Sequence, residues 1–193
     1  MDSLTKPTFV LVPGMAHAAV HLQFLVDALH AKGYPTEVVS HPTIGSLAST
    51  ATPNADAMNL RRVLEEVINN QQKDVVLFCH SYGGFVGSQS NGFERSMRAK
   101  AGQKGGIIKV IYLSANLPRE GETMLQILTE LEIAPRMWMD MDSATGTFVK
   151  NSLAADTLFH DLPDDQAEHW ASKLEPMSPP RGHGSCVPRT LGH

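Results

Sequence analysis

The segment Val75-Val76-Leu77-Phe78-Cys79-His80-Ser81-Tyr82-Gly83-Gly84 decides how the rest of the chain is read. Four consecutive apolar residues predict a strand covered on both faces. A serine follows, and the glycine pair after it opens a run of small residues that reads as a helix. A chain that turns so sharply from strand to helix has room only for small side chains two positions before and two after the serine. Gly83 meets that condition on one side. Cys79, small although not glycine, meets it on the other. The bare triplet Ser-x-Gly is weak evidence, because 14 serines and 15 glycines in 193 residues give about one by chance. Two occur, Ser81-Tyr82-Gly83 and Ser90-Asn91-Gly92, and only the first follows a strand. Context carries the inference.

The flanking sequence alternates strand and helix signals. Thr8 to Val12 predicts a buried strand ending at Pro13-Gly14. Leu22, Leu25, Val26 and Leu29 mark a helix over Ala18 to Lys32, stopped by Gly33. Thr36 to Ser40 predicts a second strand, closed by His41-Pro42. Leu60, Val63, Leu64, Val67 and Ile68 mark a helix from Ala55 to Gln71. After the central strand, a small-residue helix is expected from Gly84 to about Ala101. Gly105-Gly106 then turns into a strand from Ile107 to Leu113. Strands separated by helices imply βαβ units and a parallel sheet, an α/β fold.

Charge divides the chain into three parts. Residues 1–116 carry ten basic and eight acidic side chains, residues 117–175 four and twelve, and residues 176–193 two arginines and no acid. The reading is a core over 1–116, an acidic segment over 117–175 with helices near Glu122 to Glu132 and Asp164 to Leu174, and an irregular Pro/Gly-rich tail over 176–193. The formal net charge of -4 disfavours nucleic acid as a partner. No stretch approaches the roughly 18 apolar residues of a membrane span. Two cysteines form no disulfide framework, and the N-terminus has no secretory pattern, so a cytoplasmic protein is expected.

A serine at such a tip is a candidate nucleophile for acyl transfer, which also needs backbone N–H groups aimed at the developing oxyanion. Tyr82 N–H, at the start of the helix after Ser81, is one candidate. Met15 N–H, in the loop Pro13-Gly14-Met15-Ala16-His17, is the other, with Ala16 next. His17 and His21 stand at i, i+4, but no third ligand or His-Glu-x-x-His pattern accompanies them, so no metal is expected. Gly83, Gly84 and Gly87 lack the order of a dinucleotide fingerprint, and no cofactor is expected.

These segments resemble the α/β-hydrolases, in particular the small esterase and hydroxynitrile-lyase-like branch. The likeness is carried by Phe9-Val10-Leu11-Val12-Pro13-Gly14, by Phe78-Cys79-His80-Ser81-Tyr82-Gly83-Gly84, and by Lys104-Gly105-Gly106 leading into Val110-Ile111-Tyr112-Leu113-Ser114-Ala115. The run Phe159 to Ala167 resembles the end of that family's cap insertion. The resemblance implies that Ser81 is the nucleophile, that Met15 and Tyr82 supply the oxyanion hole, and that residues 117–175 form a helical cap. It implies a serine hydrolase of an uncharged small-molecule ester, lactone or thioester. A non-catalytic ligand-binding relative and a hydroxynitrile-lyase-like lyase are the alternatives.

The family's chain order is Ser, then Asp or Glu, then His. No residue here matches the family's acid or histidine, so the chain reads as C-terminally truncated, without the last strands and helices of the fold. His80 adjoins the serine but points elsewhere in an elbow. His160 and His169 fall in the cap, and His183 and His193 lack a strand to position them. Asp140, Asp142, Asp161, Asp164 and Asp165 read as a solvated acidic face. The uncovered edge of the last core strand predicts a homodimer or aggregation.

Overall fold

The computed structural model describes residues 6–130 and 138–179. The first half builds a sheet from β1 (Thr8–Val12), β2 (Thr36–Val38), β3 (Asp74–His80) and β4 (Gly106–Leu113), in the order β2-β1-β3-β4 with every pair parallel. β1 and β3 are central, which is why they carry the longest apolar runs: Val10, Leu11, Val12, Val75, Leu77 and Cys79 are all fully buried. Their register runs from Thr8 opposite Val75 to Val12 opposite Cys79. It brings the loop after β1 beside the turn after β3, and that juxtaposition is the start of the site.

Helices connect these strands on the expected plan. α1 (Gln23–Ala31) follows a short 3-10 turn over Ala19–Leu22, so the helix expected from Ala18 is α-helical only in its second half. α2 (Pro53–Glu65) starts with proline in its first turn, where no N–H is needed, and ends in a π turn over Glu66–Asn70. Leu60, Leu64, Val67 and Ile68 bury its apolar stripe. α3 (Tyr82–Gly87) follows Ser81 directly.

The helix expected from Gly84 to Ala101 is two helices. α3 stops at Gly87. The Ser88 hydroxyl donates to Phe85 O at 2.6 Å, and Gly92 turns the chain at a φ of 91°. Phe93 O then accepts from Ile107 N–H at 2.7 Å, before α4 (Arg95–Lys100) begins. A backbone contact with β4 thus interrupts what small-residue composition suggests is continuous.

The segment after β4 holds α5 (Met124–Glu130), then an antiparallel hairpin of β5 (Met139–Asp142) and β6 (Thr147–Lys150), then α6 (Ala154–Phe159) and α7 (Asp164–Ser172). The hairpin is not among the sequence expectations, which read this stretch as helical. Pro176 to Ser178, the start of the segment expected as an irregular tail, is tied to the body of the fold. Met177 bridges Ile44 and Phe148, and the Ser178 hydroxyl bonds Ala48 O and Ala51 O. Residues 180–193 lie outside the described residues. Met139, Ala154, Ala167, Ala171, Leu174 and Met177 join Val10, Val12, Leu64 and Leu77 in one apolar core.

Among the described residues, the outer edge of β4 is covered only near its start, by Glu94 opposite Ile107. Beyond it, Ile108 sits at a register shift and is 49% exposed, and Leu113 is 52% exposed. We propose that this edge pairs with a second copy of the chain. Sedimentation velocity over a hundredfold concentration range should show a rising dimer fraction that Ile108→Lys abolishes; a monomer throughout would contradict it.

Candidate active site

The site begins with one residue's backbone. Ser81 has φ 52° and ψ −120°, a conformation that a non-glycine residue adopts only when its surroundings impose it. Three hydrogen bonds do so. Ser81 N–H donates to Leu113 O at 3.3 Å, and Ser81 O accepts from Gly84 N–H and Asn116 N–H, both at 2.9 Å. The ends of β3 and β4 and the first turn of α3 are thereby tied to one peptide.

The neighbours are small for measurable reasons. A Cβ on Gly83 would lie 2.3 Å from Val12 O and 2.8 Å from Pro13 O, so the loop after β1 and the start of α3 touch through backbone alone. A Cβ on Gly84 would lie 2.6 Å from Asn116 O, and one on Gly14 would lie 3.2 Å from the Ser81 Cβ. Cys79 takes the position where the turn favours glycine, and the space is recovered at Gly87, whose Cβ would sit 2.4 Å from Cys79 Sγ. The cysteine is accepted because the residue that packs on it, at the end of α3, is glycine.

Met15 and Ala16 occupy the loop after β1, and Ala16 has a φ of 60°. The His17 ring donates through Nδ1 to Met15 O at 2.6 Å, while His17 N–H donates to Gly14 O at 3.3 Å. With both carbonyls turned towards His17, the N–H groups of Met15 and Ala16 face the other way, since N–H and C=O oppose each other across a trans peptide. Tyr82 N–H is the first of α3 and has no partner within the helix.

No described histidine is hydrogen-bonded to Ser81. His17 bonds Met15 O, His21 bonds Ala18 O and Trp170 O, His30 bonds the Thr36 hydroxyl, and His41 bonds Pro13 O. His80 turns its ring towards Gly14 and His17. Burial pushes the His17 imidazole down to about 4, helped by the imidazoles of His21 and His80 and opposed by the bond to Met15 O. Burial also lowers His80. These rings are neutral at neutral pH. His169 lies on α7 with its ring edge-on to Trp170, and His160 follows α6. His183 and His193 lie outside the described residues. Asp140 and Asp142 belong to β5, and Asp161, Asp164 and Asp165 surround the start of α7. No described group of three His, Cys, Asp or Glu side chains could hold a metal ion.

Beside the serine lies a cavity of about 600 Å³. Its walls are Gly14 and His80 from the core, His17 and His21, and Phe159, Leu162 and Trp170 from α6 and α7 and the turn joining them. Ser81 is not itself in the wall, but both Gly14 and His80 adjoin it.

Sequence reasoning missed a buried polar cluster beneath this surface. Asp56, on α2, is fully buried and accepts three hydrogen bonds: from Thr43 N–H at 3.0 Å, from the Thr43 hydroxyl at 2.6 Å and from the Tyr82 phenol at 2.7 Å. Burial, followed by the nearby Asp56 carboxylate, raises the Tyr82 phenol well above its ordinary value, so it remains a donor. The available signal was one acid at position 56 on the stripe continued by Leu60, Leu64 and Val67.

The model of the alpha/beta hydrolase family matches residues 9–191. The chain belongs to the alpha/beta hydrolase family. It is 32% identical over 183 residues to a probable hydrolase, R7, of a Phoma species, covering 91% of this chain and 72% of that protein. It is 31% identical over 122 residues to the alpha/beta hydrolase nvfD of Aspergillus novofumigatus, covering 63% of this chain and 48% of that protein. Tomato methylketone synthase I shares the fold at a TM-score of 0.67 and 15% identity, over 90% of this chain and 68% of that one. An extracellular alpha/beta-hydrolase from a Paenibacillus species shares it at 0.63 and 17%, over 89% and 66%. The chain therefore spans about half to three quarters of the length of the proteins it matches.

Gly83→Ala should lower stability by at least about 2 kcal/mol, because the atoms that its Cβ meets are backbone carbonyls with no rotamer to change. For a chain of this size that is a fall in Tm of roughly 4–8 °C, read by thermal unfolding. An unchanged Tm would contradict the contact.

Proposed function

We propose that this chain is a serine-nucleophile hydrolase of esterase type, acting on an uncharged small-molecule ester, lactone or thioester. The observation that carries the reading is the Ser81 backbone at φ 52° and ψ −120°, between a central strand and a helix N-terminus. Ser81 Oγ gives up its proton and attacks the acyl carbonyl, the N–H groups of Met15 and Tyr82 receive the oxyanion, the C–O or C–S bond breaks as the alcohol or thiol leaves with that proton, and water then splits the acyl-enzyme into the acid and free Ser81. The cavity beside Gly14 and His80, walled by Phe159, Leu162, Trp170 and the neutral His17 imidazole, suits an apolar group without charge. α6, α7 and the turn between them cover it, and the acidic excess of residues 117–175 opposes an anionic substrate. The paucity of cysteine fits work in the cytoplasm.

The general base is assigned to none of the described histidines, since none is hydrogen-bonded to Ser81. That observation favours a second reading, a ligand-binding relative that keeps the hydrolase body without the reaction. Hydrolysis of p-nitrophenyl butyrate separates the two. The esterase reading expects turnover that falls at least a hundredfold in Ser81→Ala. Butyrate binding without hydrolysis, or hydrolysis indifferent to Ser81→Ala, would overturn it. Release of aldehyde and cyanide from a cyanohydrin would instead indicate lyase chemistry.

A further inference from the structure

The buried cluster has a position that ordinary core polar groups do not. Asp56 holds the Tyr82 phenol, and Tyr82 is the residue whose N–H follows the serine. His41 donates through Nε2 to Pro13 O at 3.0 Å, and Pro13 begins the loop that presents Met15. The His41 ring packs edge-to-face on the Tyr82 ring, with centroids 5.3 Å apart and planes at 72°. Its Nδ1 lies 3.9 Å from Asp56 Oδ2, too far for a hydrogen bond, and is the one buried side-chain polar atom without a partner among the described residues. Thr43, two residues after His41, supplies the other donors to Asp56. Both loops are therefore held from below by residues 41–56, while above they touch at Gly83.

We propose that Asp56, with Thr43 and His41, is a positioning device that fixes the loop of Met15 and the N-terminus of α3 relative to each other, so that the N–H groups of Met15 and Tyr82 converge on one point. The inference rests on the Ser81 reading for its purpose, but its mechanics do not. A carboxylate accepting three hydrogen bonds inside an apolar core has one favourable position, and every group bonded to it is fixed accordingly. An oxyanion site gains from donors that need no rearrangement during reaction, which is what such a clamp provides.

Two amides report the two loops. His17 N–H, bonded to Gly14 O, reads the first, and Gly84 N–H, bonded to Ser81 O, reads the second. Ile107 N–H, bonded to Phe93 O, reads the far end of the sheet. Amide exchange of the full chain is followed by NMR in wild type, Tyr82→Phe and Asp56→Asn. Tyr82→Phe removes one hydroxyl and keeps the ring, so it serves if Asp56→Asn does not fold. The clamp predicts at least tenfold faster exchange at both His17 and Gly84, with Ile107 unchanged. Acceleration at Gly84 alone, at neither, or equally at all three amides overturns it. In the butyrate assay Tyr82→Phe should lower kcat about tenfold with KM within twofold; an equal change in KM alone would also count against it. If wild type proves inactive while the paired acceleration is seen, the Ser81 reading fails and the clamp stands.

Discussion

The peptide of Ser81 is held at φ 52° and ψ −120°, a conformation that costs about 1–3 kcal/mol for a residue with a side chain. Three hydrogen bonds impose it, one donated by Ser81 N–H to Leu113 O and two accepted by Ser81 O from Gly84 and Asn116 N–H. Much else follows. Because the turn is tight, α3 starts against the end of β1, and Gly83 can carry no side chain. Because β1 and β3 are in register, the same turn lies beside the loop of Met15. Because β4 continues to Leu113, its last carbonyl is in place to hold Ser81 N–H. The sheet is the means by which three chain segments distant in sequence meet at one serine.

Two compensations show how such a constraint is accommodated. Cys79 stands where the turn favours glycine, and Gly87 opposite it supplies the missing volume. Asp56 places a carboxylate in an apolar core, and three donors meet it. In each case a departure at one position is matched by a partner that lies next to it in space. An unmatched departure would leave either a collision with backbone or a buried carboxylate short of donors, and both are costly.

What was legible in the sequence is what is local. The apolar runs of β1 and β3 appear as strands because they are buried on both faces, that of β4 because it is β-branched and follows the Gly105-Gly106 turn, and the serine turn is visible because strand, small residue and helix adjoin in the chain. The family likeness rests on those same runs, and the match over residues 9–191 bears it out. What was not legible depends on partners far away. The helix expected after Gly84 stops at Gly87, and Phe93 O bonds Ile107 N–H on β4 instead, which no composition signal announces. Charge counting over 117–175 hid the alternation Met139-Asp140-Met141-Asp142, which is itself a strand pattern. The polar cluster joins positions 13, 41, 43, 56 and 82. His41 read as the close of the second strand, and the lone acid on the α2 stripe alone marked the place.

The central claim is that this backbone geometry makes Ser81 a nucleophile, and the most direct test is covalent. Monodisperse chain is treated with a fluorophosphonate and its intact mass measured, beside Ser81→Ala. The account predicts a single adduct on the wild type, located to the peptide containing Ser81, and none on the variant. An unmodified mass in folded wild type, or an adduct that persists in Ser81→Ala, would contradict it.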